Sequence, residues 1–345
     1  MRALLTLLMV SPGAALEPFK VSLEWFWNPD HLPILVAQKH GYFAAHGLNV
    51  TVIEPDDHFE PVAVLTSGEL DAAVTETVHL AQDRFKLGKD KLVGFNRFLH
   101  TLGGVMYARD GAGGHKPRLT ITRPRDMCQP GKQLRIQYPG APGKGGPAIV
   151  KTMVEFDGGN CDRTEIVPVN NGFFHTKALV EDQADVATLI FANFELPEAK
   201  NSNLDVGFFD LKKYGVPDFC QLVLIANPQA LRSPATAWKF RSLNRALREA
   251  TDWIKLNPAN AKALWLEQFP TKDEAEARMM DEILDRTLYM FPHQQDLSEE
   301  YWVGMERWLK GTEQIDEVSV GKVDYWTNEL AFESEETRKG GKEEL

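Results

Sequence analysis

LEWFWNPDHLPILVAQKHGYF, residues 23–43, turns a strand into a helix through a crowded polar and aromatic junction. Upstream, Phe19, Val21, Leu23 and Trp25 alternate with Lys20, Ser22 and Glu24, the period-two signature of a strand. Downstream, Pro33 stands where a first helical turn tolerates it, and Ile34–His40 reads as a helix stopped by Gly41. Between them lie Trp25, Phe26, Trp27, Asn28, Asp30 and His31. A further turn ends at Gly47, Leu48–Ile53 reads as a second strand, and 61–66 as a helix ending near Gly68. Asp71–Val74 follows as a short strand, with Thr75 able to cap a helix that runs to about Leu87 and stops at Gly88.

The alternation continues with a strand over Leu134–Tyr138, the loop PGAPGKGGP (139–147) and a helix over Ala148–Phe156. Asp185–Ile190 is a short strand followed by a helical Phe191–Ala199, and Leu222–Ala226 is another strand. Beyond it, Phe240, Leu243, Leu247, Ala250 and Ile254 recur at three- and four-residue spacing, as on an amphipathic helix. Helical, tryptophan-rich segments run to about Phe332, and the charged tail 333–345 cannot bury apolar surface and is expected to be disordered. The pattern is that of an α/β protein with a long helical appendix. In such sheets ligands bind beyond the carboxyl ends of strands, which puts Trp25–His31, Thr75–His79 and the 139–147 loop on one cleft.

A chain of 345 residues is comfortable as two lobes, and its 43% apolar and 25% charged residues are those of a globular protein. The net charge of -11 argues against nucleic acid and against docking on anionic lipid, because both need basic patches. Cys128, Cys161 and Cys220 form no Cys-x-x-Cys pair, so neither a zinc site nor a disulfide framework is signalled. Met1-Arg2, the apolar run Ala3–Val10 and the small residues around Ser11–Ala15 read as a signal peptide over 1–15, so an exported, periplasmic protein is expected. Without cleavage the protein would be cytoplasmic. No cysteine near the cut suggests a lipoprotein, and no later segment approaches the roughly 20 apolar residues of a membrane helix.

Trp25 and Trp27 lie two apart, and on a continuing strand they bracket a flat ligand whose ring edges Asn28, Asp30 or His31 can read. The competing reading makes one tryptophan, Trp27 in particular, plain core. Glu76 stands at a helix start, where free backbone N–H groups orient a polar group, and His79 follows one turn on, as ligand contact or structural residue. Gly140, Ala141 and Gly143 offer backbone donors, with Lys144 a contact or a solvated side chain, yet the loop matches neither the P-loop nor the dinucleotide fingerprint. In FANFELPE (191–198), Asn193, Phe194 and Glu195 follow a strand end, and a carboxylate beside an aromatic suits an aminopyrimidine, accepting from its amine. Glu198 reads as surface. EPDDHFE (54–60), with His58, lacks metal-ligand spacing and reads as a solvated turn, and no G-x-S-x-G or nucleophilic triad is apparent.

WFWNPDHLPILVAQKHGYFAAHGLNV (25–50) closely resembles the N-terminal signature shared by two groups: substrate-binding proteins that deliver thiamine pyrimidine precursors to ABC importers, and the fungal thiamine pyrimidine synthases. TSGELDAAV (66–74), YPGAPGKGGPA (138–148) and YWTNELAF (325–332) resemble later segments of the family, while FANFELPE and YGVPDFCQLVLIAN (214–227) resemble its importer branch. The resemblance spans about residues 19–332 and implies a two-lobed type II periplasmic-binding-protein fold with two chain crossovers between lobes. On that plan 17–108 and 223–332 form one lobe and 109–222 the other. It further implies a monomer without cofactor that binds a pyrimidine-type ligand and meets an ABC permease. The synthase branch carries a lysine anchoring pyridoxal phosphate one turn before the histidine it consumes, and a cluster of cysteines. Here His79 holds the histidine position, Thr75 stands for the lysine, and only Cys220 falls in the cluster region. A binder is therefore expected, with Trp25 stacked on the ring, Asn28 and His31 at its edge, Glu195 on the amine, and Glu76 with the Gly140–Gly143 backbone on the substituent. The alternatives are a synthase and a binder of a flavin, sulfonate or other aromatic acid.

Overall fold

The alternation from Phe19 builds β1 (Glu17–Ser22), with Phe19 and Val21 buried. β1 pairs in parallel with β2 (Leu48–Ile53) and with β3 (Ala72–Thr75). Parallel neighbours need crossover connections; α1 (Leu32–Lys39) and α2 (Tyr42–Ala45) supply the first, α3 (Glu60–Ser67) the second. α4 (Thr77–Leu87) then leads to β4 (Val93–Leu99), and β10 (Leu222–Ala226) inserts antiparallel between β3 and β4, giving the order β2-β1-β3-β10-β4. This computed structural model describes residues 15–56, 60–88, 90–109, 116–138, 144–162, 165–169, 172–217, 222–292, 294–315 and 326–330.

A second sheet repeats the plan. β6 (Leu134–Gln137) runs parallel to β7 (Ile166–Val169) and β8 (Val186–Phe191), and β5 (Gly103–Ala108) lies antiparallel between β8 and β9 (Val206–Asp210). α5 (Gly145–Phe156), α6 (His175–Val180) and α7 (Glu195–Asn201) connect them. In each sheet the antiparallel insert is the strand that arrives from the other sheet, so the chain crosses twice, after β4 and after β9. β8 (VATLIF) and β10 (LVLIA) are buried at every residue, as strands covered on both faces are.

The helical appendix comprises α8 (Pro228–Arg232), α9 (Ala237–Leu256), α10 (Pro258–Gln268), α11 (Glu274–Thr287) and α12 (Glu299–Gly311). The expected stripe on α9 is its buried face, with Phe240, Leu243, Leu247, Ala250 and Ile254 packed against the first sheet's core. Each such side chain contributes on the order of 2 kcal/mol of burial. α12 behaves differently. Its Trp302, Met305 and Trp308 enter a core that holds Val62 and Ala73 from the first sheet's layers and Ile136 and Val150 from the second's. Trp308 also donates its indole N–H to Thr152 Oγ1 of α5 at 2.9 Å.

Several expectations are corrected. The ladder stops at Ser22, after which Leu23 N–H donates to Ile53 O, the last partner β2 offers, and the chain bends, so Trp25 and Trp27 do not continue a strand. Thr75 does not cap α4, because it pairs with Val223 as the last residue of β3 and Glu76 takes the cap position. Phe191 belongs to β8, where it pairs with Gly103, and the helix starts only at Glu195. β5, counted with the first lobe by the boundary at 108, hydrogen-bonds within the second sheet. Cys128 and Cys161 form a disulfide with Cα atoms 5.4 Å apart. Their separation of 33 residues carries no local signal, and the fold alone brings the segment after β5 against the end of α5. Residues 1–14, His58, Gly140, Ala141, Gly143, Cys220 and the tail 333–345 lie outside the described residues.

Candidate functional site

A narrow cleft with a cavity volume of about 20 Å³ opens where the carboxyl ends of β1, β3 and β8 face one another across the two sheets. Glu24, Trp25 and Glu76 line it from the first sheet; Leu189, Phe191 and Glu195 line it from the second, with Phe173 and His175 beside α6 closing the wall. Its chemistry is unusual for its size: three buried carboxyl groups set among aromatic faces.

Each carboxyl has an imidazole near it. Glu24, 2% exposed, receives His31 Nε2 at 3.1 and 3.2 Å from its two oxygens. His31 Nδ1 accepts from the Asn28 N–H at 3.3 Å, which assigns the ring proton to Nε2, on the side of Glu24. Asn28 itself accepts from Asp30 N–H and donates to Phe26 O, capping the 3-10 turn Pro29–His31. The tight junction of the opening stretch thus has a local cause: the turn exists to hold His31 behind Glu24.

Glu76 caps α4 without bonding its backbone, and its side chain turns instead to His79, Oε2 to Nδ1 at 2.9 Å. His79 Nε2 meets the Tyr138 hydroxyl at 2.8 Å, from the end of β6 in the second sheet. Burial alone would lower the His79 pKa; the Glu76 charge and hydrogen bond more than reverse it and raise it. Burial, then the Glu76 and Asp83 charges, push Tyr138 up and keep its phenol protonated.

Glu195 opens α7, accepts from the Phe191 N–H at 2.8 Å, and stands 3.9 Å from His175 Nδ1. Burial, reinforced by the Glu198 charge, pushes its carboxyl well above the ordinary glutamate range, against the opposing Phe191 bond. Glu198, expected on the surface, is raised in the same direction by burial. Leu189 is aimed into the cleft by a β-bulge: Ile190 and Thr188 pair with Gly104 and Val105, leaving Leu189 between them at φ 59°. That left-handed backbone costs a branched residue about 1–2 kcal/mol, and bulges of this kind re-aim side chains beside functional sites.

Of the residues singled out from the sequence, Trp25, Glu76 and Glu195 meet on this cleft. Phe194 stands behind Trp25, ring centroids 5.1 Å apart, and Phe26, Phe173 and Phe191 complete the cage around the indole. Trp25 and Trp27 do not bracket a ligand: the chain bends between them, and Trp27 packs on His31 and Phe269. Asn28, His31 and His79 spend their polar atoms on the cap, the carboxylates and the Tyr138 hydroxyl. Asn193 donates to Asp30 Oδ1 and Thr287 Oγ1 at 2.6 and 2.8 Å and accepts from Thr101 at 2.6 Å, a knot behind the cleft. Burial pushes Asp30 up to about 7, against the neighbouring His31 and the Asn193 bond. Glu24, Phe173, His175, Leu189 and Phe191 line the cleft as well, though the sequence did not single them out. Glu24 alone carried a signal, a charged residue wedged between Leu23 and Trp25 at a strand end. Among the described residues no group of histidine, cysteine, aspartate and glutamate is arranged to hold a metal, and no helix is long and apolar enough to cross a membrane.

The family model described as NMT1/THI5 like matches residues 28–261. The formylaminopyrimidine-binding protein of Halalkalibacterium halodurans is 28% identical over 279 residues, 81% of this chain and 78% of the relative. The 4-amino-5-hydroxymethyl-2-methylpyrimidine phosphate synthase of Aspergillus parasiticus is 24% identical over 257 residues, covering 72% and 69%. Among solved structures, the alkanesulfonate-binding protein SsuA of Xanthomonas axonopodis pv. citri superposes with a TM-score of 0.64 at 12% identity, over 88% of this chain and 96% of that one. The fold is that of the type II periplasmic binding proteins.

Proposed function

From the premise that this chain belongs to the NMT1/THI5-like family, we propose that it is the substrate-binding component of an ABC importer and captures an aminopyrimidine between its two sheets. The observation that carries the reading is the cleft itself, where Glu24 and Glu76 face Glu195 across aromatic walls. An aminopyrimidine offers N–H donors on its exocyclic amine and lone pairs on its ring nitrogens. Carboxylates at Glu24 and Glu76 accept from donors, while Glu195, held protonated further up the pH scale, donates to or shares its proton with a ring nitrogen. The carboxylates of Glu24 and Glu76 also disfavour anions, since like charges brought together cost several kcal/mol. That argues against the sulfonate reading and against phosphorylated pyrimidines. The likeness to a formylaminopyrimidine-binding protein supports the same ligand class.

Residues 17–99 with 222–330, and 103–217, serve as two lobes that close about the crossing segments. The synthase reading is disfavoured because Thr75 is a strand hydroxyl that cannot form a Schiff base, and His79 is engaged at both ring nitrogens. Export is supported by the leader-like residues 1–15 and by the Cys128–Cys161 disulfide, which suits an oxidising compartment. The protein then works as a monomer handing its ligand to a membrane permease.

A thermal-shift panel tests the ligand. 4-Amino-5-hydroxymethyl-2-methylpyrimidine and its formylamino relative are expected to stabilise the protein, by about 2.7 kcal/mol at 100 times the dissociation constant, and the phosphate ester and alkanesulfonates are not. Absence of any response to the uncharged pyrimidines sinks the proposal. Mass spectrometry after incubation with pyridoxal phosphate and iron separates the synthase, which would lose mass at His79.

A further inference from the structure

We infer that His79 and Tyr138 are a positioning pair that makes the hold of Glu76 on a ligand conditional on closure of the two lobes. The inference rests on the proposed binding site but uses residues that do not line it. Glu76 lines the cleft, and its Oε2 meets His79 Nδ1. Glu76 and His79 share one helix start, so their contact lies within the first lobe. The second link is not local. Tyr138 comes from the second sheet, 59 residues further along, and its hydroxyl closes on His79 Nε2 at 2.8 Å.

All three side chains are buried, at 4%, 5% and 4% exposure for Glu76, His79 and Tyr138. The bridge is fitted on the far side as well. A Cβ on Gly145 or Gly146 would overlap the Tyr138 ring, so the first turn of α5 is shaped to receive it. With the imidazole neutral, the phenol donates to Nε2 and Nδ1–H donates to Glu76. With the imidazole charged, Nε2–H donates to the phenol oxygen, so either state keeps the chain intact. Bonds in such a chain polarise one another and fix the carboxylate direction.

When the lobes part, Tyr138 leaves with the second sheet and His79 loses the partner that orients it. A ligand that needs the oriented Glu76 therefore favours the closed state by its differential affinity. Closure and recognition become one equilibrium.

Tyr138→Phe removes one hydroxyl and keeps the ring on Gly145 and Gly146. Titrated with 4-amino-5-hydroxymethyl-2-methylpyrimidine, it is expected to bind about tenfold more weakly, through faster dissociation. Its ligand-induced contraction in small-angle scattering should shrink, while the unfolding midpoint of the ligand-free protein holds. His79→Gln, as a second variant, should show the same split. Unchanged affinity and contraction overturn the inference, as does an affinity loss matched by an equal loss of ligand-free stability. If the wild type binds no pyrimidine, the functional reading fails separately. The pair is then judged on ligand-free scattering, where Tyr138→Phe should be the more open and an identical profile refutes it.

Discussion

Among the described residues, two of the buried polar junctions between the sheets are built to different ends. At one, Asn193 from the second sheet plugs into Asp30, Thr287 and Thr101, and Thr101 belongs to the segment between β4 and β5 that carries the chain across. Every polar atom of the Asn193 side chain is used, and none of it lines the cleft. At the other, Tyr138 reaches His79, and the chain of bonds ends on a carboxylate that does line the cleft. The first junction ties the crossing segment to both lobes and ends on protein groups alone. The second is a single hydrogen bond between side chains on separate lobes. Burial of a polar contact therefore says little about its role; what matters is whether the last group in the network faces protein or ligand.

The comparison breaks most easily at Asn193. Asn193→Ala strands a buried aspartate without its main donor and should lower ligand-free stability in urea by about 3 kcal/mol. Tyr138→Phe should lower it by less than about 1 kcal/mol, so equal losses would erase the distinction. The next largest effect is one of pH. The Asp30 pKa rises from 3.8 to about 7 on folding, so the folded state holds a proton that the unfolded state has released. The contribution of Asp30 is complete below pH 3.8 and lost as pH climbs through about 7. Subtracting the pH profile of Asp30→Asn from that of the wild type should reveal this decline, with a slope of at most about 1.4 kcal/mol per pH unit. A flat difference would mean the aspartate is ionised throughout. On the ligand side, Glu195→Gln should weaken pyrimidine binding severalfold and raise stability above pH 4.5, where the wild type keeps a raised carboxyl buried. Smallest is Thr101→Val, which removes one neutral donor to Asn193 and should cost about 1 kcal/mol.

Much of the fold was legible because its signals are local. The period of two before Ser22, the proline at the start of α1, the glycines at 41 and 88 and the apolar stripe on α9 each follow from backbone sterics within a few residues. The cleft was legible only in part. Trp25, Glu76 and Glu195 could be found because each follows a strand end, where α/β topology leaves room for a ligand. Phe173 and His175 sit in a connection whose position depends on sheet order, and Leu189 enters through a bulge that no pattern announces.

The sequence by itself determined the elements, their order and the residue types available to the site, since these depend on neighbours a few positions away. Only the tertiary structure decided what the polar residues do. Asn28, His31, His79 and Asn193 looked like ligand readers, and each became support for another group. A buried donor or acceptor must be satisfied by whatever group the fold brings within about 3 Å. For His79 that partner is Tyr138, and for Asn193 it is Asp30, both far away along the chain.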